Sequence, residues 1–257
     1  LNITPDSFSD GGEFNSVDAA VIQAQEMVSS GADIIDIGGQ STRPGAEQIS
    51  LQEELNRVIP VITAIRAVTD TIISVDTTRS KVAKLAIEAG GDIINDISGG
   101  TYEPEIFKVA FSMQAPIILM HIRGTPATMQ KLTNYDDVVT EVISFLRGQI
   151  EIAVNTGIER EKIIIDPGIG FAKNYEQNLE IFHRLKELHQ LDCPILIGPS
   201  RKSFIGRILN QPDPKGRLMG TAAACSAAIF QGADIVRVHD VKEIRDVCLV
   251  TDALVRS

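Results

Sequence analysis

The sequence predicts an α/β protein folded as a single-domain (β/α)8 TIM barrel, and three observations carry that expectation. Short β-prone apolar runs alternate with amphipathic helical segments along the whole chain. The runs are apolar on both faces, as strands of a parallel sheet covered by helices are. Eight such units fit within 257 residues, which is the number and length of that barrel. An open doubly wound sheet is the competing arrangement, but no GxGxxG or Walker loop follows an early strand. No Pro/Gly/Ser-rich linker or low-complexity tract divides the chain, so residues 1–257 read as one domain.

Strands are expected at about 1–3, 33–37, 72–76, 92–95, 116–120, 162–166, 194–197 and 234–238. Ser16 can cap the first helix, with Val17, Val21, Ala24 and Val28 on one face. Ser50 to Glu53 reads as a capping box for the second, whose Leu55, Val58, Ile59 and Ile62 face inward and which Pro60 should kink. Thr78 can cap the third, with Val82, Leu85 and Ala89 inward. Three segments repeat one αβ junction: GADIIDIGG at 31–39, GGDIINDIS at 90–98 and GADIVRVHD at 232–240. In each, a glycine (Gly31, Gly90, Gly232) stands where a left-handed residue ends a helix, and the chain turns apolar two residues on.

Composition narrows the functions. The net charge is −10, which argues against nucleic-acid binding because a phosphate backbone demands a basic face. Any anionic ligand must then be held by a local cluster of positive groups. No apolar run is long enough to cross a bilayer, and the opening LNITPDSFSDGG has neither the basic nor the apolar part of a signal peptide. Cys193, Cys225 and Cys248 form an odd, widely spaced set without CxxC or CxxH, so neither a disulfide framework nor a zinc site is expected. A cytoplasmic protein without membrane or nucleic-acid partners follows as the expectation.

In such a barrel the chemistry sits where strands end. Those ends carry Asn2, Asp36, Asp76, Asn95 with Asp96, His121, Asp166, the Ser-Arg-Lys-Ser loop, and Arg237 with His239. Ile235, Arg237 and His239 share one side of the last strand by its two-residue period, so both polar groups point the same way. An unpaired guanidinium inside a barrel costs several kcal/mol, and an anionic ligand would supply the missing partner. Asp36 and Asp96 could each do no more than cap a following helix. His183 and His189 read as a solvated helix face, and His121 stays open between core and site. In IGPSRKSFIGR, Arg201, Lys202 and Ser203 open a helix and can form an anion site from two cations, a hydroxyl and free N–H groups. STRPG at 41–45 adds another arginine beside a proline, and DPGIGF at 166–171 adds glycines that let backbone approach a ligand closely.

Eight motifs in order, LNITPDSFSDGG, DIGGQSTRPG, SVDTTR, INDISGG, LMHIRGTPATMQ, DPGIGF, PSRKSFIGR and RVHDV, span nearly the whole chain and resemble the dihydropteroate synthase family of folate biosynthesis. The resemblance implies a (β/α)8 barrel, a homodimer dependent on Mg²⁺ and targeted by sulfonamides. It implies condensation of para-aminobenzoate with 6-hydroxymethyl-7,8-dihydropterin pyrophosphate, releasing pyrophosphate. Carried over, it places Asp76, Asn95 and Asp166 on the amino-pyrimidine edge of the pterin, with Lys202 at the rim and Ile97, Met120, Phe171 and Gly198 forming the slot. Arg237, His239 and Asn2 would hold pyrophosphate and its Mg²⁺, with Asp10 on the first loop assisting. Phe8, Arg43, Pro44 and Ser203 would frame para-aminobenzoate, and Thr42 would be a further substrate contact. The implied catalytic set is Asp10, Arg43, Lys202, Arg237 and His239, with Asn2 as the metal ligand. Members of that family carry a few apolar residues before Leu1, so the first strand is expected to be cut short. Gln40 stands where many have Glu, and Pro199 removes a backbone donor before the Ser-Arg-Lys motif. A methyltransferase working on methyltetrahydrofolate and a non-catalytic pterin-binding module are the alternatives. The first needs no pyrophosphate site, and pyrophosphate release separates both from a synthase.

Overall fold

The structure, a computed structural model, describes residues 1–3 and 13–256. Its regular elements alternate: α1 Glu13–Ser29, β1 Ile34–Gly38, α2 Leu51–Arg66, β2 Ile72–Asp76, α3 Ser80–Glu88, β3 Ile93–Asp96, α4 Glu105–Met113, β4 Ile117–Met120, α5 Val138–Thr156, β5 Ile163–Asp166, α6 Tyr175–His183, β6 Leu196–Ile197, α7 Ser203–Ile208, α8 Leu218–Phe230, β7 Ile235–Val236 and α9 Val241–Val255. All strand pairs are parallel. Strands β1 to β5 form one sheet in sequence order, a bridge from Ile165 to Ile195 carries it to β6 and β7, and Asn2 bridges to Gly38 on the other edge. The strands thus run round a (β/α)8 barrel in chain order, with residues 1–3 in the place of the first predicted strand. Among the described residues, no bridge joins β7 to residues 1–3. A cavity of about 390 Å³ opens along that seam, from Arg237 and His239 at the mouth to Asp252 and Arg256 between the helices.

The two-residue strand period divides each strand between two environments. Ile35, Ile37, Ile73 and Val75 point outward and are buried with Val58, Ile62 and Ile65 of α2. Ile94, Ile117, Leu119, Ile163, Ile165 and Ile197 do the same against α4 to α6. Each such side chain stabilises the fold by about 1.5–3 kcal/mol through the apolar area it removes from water. The alternate residues point inward. Ile93, Ile118 and Leu196 are buried inside with Ile34, Ile164 and Ile235 packed on them, forming an apolar floor. Two residues further along the same strands stand Asp36, Asn95, Met120, Asp166, Gly198 and Arg237. The mouth is therefore polar because the inward phase of the strands changes character after its first layer.

Gly31, Gly90 and Gly232 all take positive φ, at 94°, 114° and 94°, as the repeated junction predicts. A side chain at Gly232 would also put its Cβ 2.2 Å from His189 Nε2. Helix starts differ from expectation at several places. The first helix begins at Glu13 rather than beyond Ser16. Ser50 caps α2 by accepting from Glu53 N–H at 3.1 Å, but the Glu53 carboxylate turns to Arg57, so the reciprocal half of the box does not form. The inward face of α2 is Glu54, Val58, Val61, Ile62 and Ile65, with Leu55 and Ile59 only half-buried, and the helix continues unbroken through an exposed Pro60. Thr78 does not cap α3, which starts at Ser80. The Glu103 carboxylate, from another loop, accepts both Ser80 N–H and its hydroxyl, at 2.8 and 2.9 Å, and satisfies that end instead. No helix among the described residues is long and apolar enough to cross a membrane.

Candidate active site

Register places the polar ends side by side. Gly38 pairs with Asp76, Asp76 with Asn95, and Met120 with Asp166. All three acceptor residues are buried, with 6 to 8% of Asp76, Asn95 and Asp166 exposed. Asp166 Oδ1 accepts the Gly168 N–H at 2.7 Å, which leaves its second oxygen for a ligand. Burial raises the Asp166 pKa against that hydrogen bond and the charges of Lys202 and Lys173. Burial and the facing Asp36 carboxylate likewise raise Asp76, with Arg237 opposing. Ile97, Met120 and Phe171 meet in one apolar cluster with Ile122, Met129 and Ala172. A Cβ added at Gly198 would meet only Arg237 Cβ, at 3.9 Å, so that wall is open to a flat ring.

Lys202 lies over the Phe171 ring, its Nζ 4.3 Å from the centroid. A Cβ at Gly170, whose φ is +81°, would come within 3.1 Å of the Lys202 Cδ, so glycine is needed for this approach. At Gly168 a Cβ would lie 2.1 Å from the His121 carbonyl oxygen. The glycines of DPGIGF therefore admit neighbouring loops of the protein itself, where the sequence suggested approach to a ligand. Burial and the Arg237 charge lower the Lys202 pKa to about 8.

Arg237 does not lack a partner. Its Nε donates to Asp36 Oδ2 at 2.6 Å and its Nη2 to Asp76 Oδ2 at 3.1 Å, which corrects the expectation of a guanidinium awaiting an anionic ligand. Asp36, foremost, raises the Arg237 pKa further, so the cation is permanent. His239 is held by Ser200, whose Oγ accepts the His239 backbone N–H at 3.1 Å and lies 2.9 Å from Nδ1. The hydroxyl has one proton to give, and donating it to Nδ1 leaves the imidazole proton on Nε2. Burial and the charges of Arg201 and Arg237 lower the His239 pKa to about 4, so it serves as a neutral N–H donor. Arg201 is withdrawn from the expected two-cation cluster: it takes a positive φ of 58° and binds Asp240 through Nε at 3.0 Å. Lys202 is the remaining cation of that loop.

Asn2, Asn95, Arg237 and His239 line the seam cavity together with Asp36 and Ser74. Thr42 lies in a neighbouring hollow with Gln40, Asp76 and Ile97. Arg43, Pro44 and Ser203 are exposed, and the loop of the first two is tied across the mouth by Gly45 N–H donating to the Pro126 carbonyl at 3.1 Å. Gln40 braces the same loop. Its Nε2 donates to the Ser41 and Glu47 carbonyls and its Oε1 accepts Ile49 N–H, each at 2.9 Å, a set that needs both a donor and an acceptor. Phe8 and Asp10 lie outside the described residues, as does the rest of the first loop. His183 and His189 are exposed, as a solvated face requires.

Asp96 and Asp36, alike in sequence, part company. Asp96 points outward and binds Ser98 N–H, Ser98 Oγ and Gly100 N–H at 2.7 to 2.8 Å, a turn cap. Asp36 points inward and holds Arg237. Sequence reasoning also passed over Lys173, only 3% exposed, whose Nζ reaches His121 Nδ1 and the Phe171 carbonyl, both at 2.9 Å. Burial lowers the Lys173 pKa to about 7 and, with the Lys173 charge, the His121 pKa to about 2. His121 is thus a neutral buried group between Phe145 and Tyr135 that helps fasten the Phe171 loop. Nothing in local sequence marks a lysine for that position.

Two titrations follow from these environments. Asp76 can accept hydrogen bonds at both oxygens only when ionised, and Lys202 loses its charge above about 8. We expect a bell-shaped pH profile for the affinity of a ligand that uses both groups, reporting their titration in the free protein. Its acid limb should lie well above the ordinary aspartate pKa of about 3.9, and its basic limb should move in Lys202→Arg. A profile flat from pH 4 to 9, read by ligand binding, would contradict both assignments.

Inward-facing acceptors below, a permanent cation and a neutral N–H donor above, and an apolar slot beside them define a class: a (β/α)8 barrel built to seat a flat ring rich in N–H groups that carries an anionic tail. The comparisons agree. A family model described as pterin binding enzyme matches residues 1–239. Dihydropteroate synthase of a Synechocystis strain is 60% identical over 256 residues, covering 100% of this chain and 89% of that protein. The solved dihydropteroate synthase of Clostridium difficile, obtained in the presence of pteroic acid, superposes with a TM-score of 0.95 at 45% identity, covering 100% of this chain and 95% of that one. The Yersinia pestis dihydropteroate synthase in complex with a sulfonamide drug gives 0.92 at 45% identity, covering 99% and 92%. The chain belongs to the pterin binding enzyme family.

Proposed function

We propose that this chain is a dihydropteroate synthase, a transferase joining para-aminobenzoate to 6-hydroxymethyl-7,8-dihydropterin pyrophosphate. One observation carries the reading furthest: Arg237 bridges, in a single side chain, from the acceptor Asp76 to the cavity lined by His239 and Asn2. A ring donor set and an anionic tail would therefore meet on one substrate. Asp76, Asn95 and Asp166 take the ring edge, while Ile97, Met120, Phe171 and Gly198 flank its faces and Lys202 closes the rim. Arg237 and the His239 Nε2–H take the diphosphate. Arg43, Pro44 and Ser203, with Phe8, frame the arylamine, Asp10 assists at the diphosphate, and Thr42 is a further substrate contact.

The reaction is a substitution at the exocyclic methylene. The C–O bond to the diphosphate breaks and the developing positive charge spreads into the ring nitrogens, whose N–H groups rest on carboxylates. The arylamine nitrogen then forms the new C–N bond and loses a proton. An arylamine is already unprotonated at neutral pH, so no strong base is required. Mg²⁺ fits the donor set only in part. Among the described residues no group of three or more His, Cys, Asp or Glu could hold a metal ion by itself. The Asn2 amide oxygen would have to share the ion with diphosphate oxygens and water, which is how Mg²⁺ is often bound. When bound, the ion supplies charge neutralisation at the leaving group.

Methyl transfer from methyltetrahydrofolate is set aside because relatives 60% and 48% identical over this whole chain are dihydropteroate synthases. The reading extends to a cytoplasmic homodimer, supported by Met219 and Phe230 of α8 and Leu249, Val250 and Leu254 of α9, all exposed apolar side chains on adjoining helices. The test is a coupled assay of pyrophosphate release with both substrates. Release that depends on para-aminobenzoate is expected. Tight pterin binding with no release would make the chain a binding module instead.

A further inference from the structure

Asp36 makes more hydrogen bonds than any cap would need. Its Oδ1 accepts the Ser74 hydroxyl at 2.8 Å, its Oδ2 accepts Arg237 Nε at 2.6 Å, and Asn95 Nδ2 donates to the pair at 3.2 and 3.4 Å. The strands bring these groups together from β1, β2, β3 and the end of β7. Asp36 pairs with Ser74 in register, one inward layer below the Gly38–Asp76 pair. Three donor groups occupy its two oxygens, so little of the carboxylate is left to receive a substrate.

We propose that Asp36 is the positioning residue of the pterin edge, setting which way the Asn95 amide faces and how far Arg237 can reach. The proposal rests on the pterin reading above. A terminal amide can present either its oxygen or its NH₂ group in a given direction, and only its neighbours decide which. An ionised carboxylate accepts and cannot donate, so Asn95 Nδ2 must turn to Asp36 and Asn95 Oδ1 must turn to the mouth. The ring's N–H donors then find an acceptor, where a rotated amide would meet them with two more donors. Arg237 is governed by the same anion. With Nε committed to Asp36, only Nη2 reaches Asp76, and that single contact can be exchanged for a ring donor. Without Asp36, the guanidinium would have Asp76 as its sole partner of the two and would compete with the pterin for it. Asp36 thus spends its oxygens on Ser74, Asn95 and Arg237, and acts on the ring through the last two.

The test measures two probes separately on the full chain by calorimetry: 6-hydroxymethylpterin for the ring and inorganic pyrophosphate for the tail. In Asp36→Asn, the new amide can donate to neither Asn95 Nδ2 nor Arg237 Nε. We expect pterin binding to weaken at least about 30-fold, near the middle of the range for one misplaced buried hydrogen-bonding group. Pyrophosphate binding should stay within about threefold or tighten, because removing an anion beside Arg237 cannot repel another anion. The exchange Asp36→Asn with Asn95→Asp restores one donor facing one carboxylate at unchanged net charge. It should regain at least about tenfold in pterin binding over Asp36→Asn, a rescue that simple damage to the barrel would not give. Undiminished pterin binding in Asp36→Asn overturns the proposal, as does parallel loss of both probes. Failure of the exchanged pair to bind pterin overturns it too, whether or not the single variant folds. A parent protein that binds both probes but releases no pyrophosphate with para-aminobenzoate would sink the synthase reading alone and leave the role of Asp36 standing.

Discussion

Arg237→Ala should lower kcat for pyrophosphate release by about 10² to 10³, the usual cost of removing one preorganised group from a developing charge. The loss has two sources that kinetics can separate. On the proposed reading the permanent Arg237 cation faces the diphosphate, so its absence would leave the departing oxygens to His239, which is neutral, and to any bound metal. It also neutralises the carboxylates below, through Asp36 at 2.6 Å and Asp76 at 3.1 Å. Once it is gone, Asp36 and Asp76 face each other without it, and Asp76, already raised by burial and by Asp36, holds its proton to still higher pH. The variant should therefore show both a lower kcat and an acid limb moved to higher pH. Lys at this position would restore the charge without the fork that spans two carboxylates, and should recover rate only partly. Normal turnover in Arg237→Ala, measured by steady-state release of pyrophosphate, would remove Arg237 from the mechanism.

Asp166→Leu should reduce kcat/KM for the pterin substrate by up to about 10⁴, because buried ring donors would lose their acceptor and meet a methyl group. The KM for the arylamine should be unchanged. Asp166 also accepts the Gly168 N–H at 2.7 Å, so the variant strands a buried amide and should lose about 1–3 kcal/mol of stability. A melting curve distinguishes this from unfolding, since the outward Ile163 and Ile165 of the same strand keep their contacts. Asp166→Asn should be milder, because an amide can keep one of the two acceptances. Equal loss for both substrates in Asp166→Leu would mean that the carboxylate shapes the barrel rather than recognises the ring.

Much of this barrel could be read without coordinates, since strands 72–76, 116–120 and 162–166 lie within a residue of β2, β4 and β5. The local signals there are strong, with largely apolar runs ending in one acidic or sulfur-bearing residue. The last two strands were drawn too long, because β6 and β7 pair over only two residues each before the chain leaves the ladder. Helix starts fared worse. A serine or threonine ahead of an apolar stripe can cap a helix, but at α3 the Glu103 carboxylate accepts the first amide, an acceptor no local window contains. The strand ends that the sequence marks as polar, Asp76, Asn95 and Asp166, do come to one mouth, with Arg237 and His239 following β7 and Lys202 heading α7. Arg201 was misread as a site cation for want of knowing that Asp240 would take it.

The sequence by itself determined the rhythm of strands and helices, the glycine that closes each repeated αβ junction, and the polar character of the strand ends. Those properties follow from periods of two and 3.6 residues and from the φ a side chain allows, all of which act within a few positions along the chain. Tertiary structure decided which charges meet. Arg237 finds Asp36 across 201 residues of chain, Asp96 turns outward while Asp36 turns inward, and Lys173 comes to rest beneath His121. Such pairings depend on how the strands are staggered as the sheet curls into a barrel. That stagger is set by the packing of all the helices at once, so no single segment could have announced it.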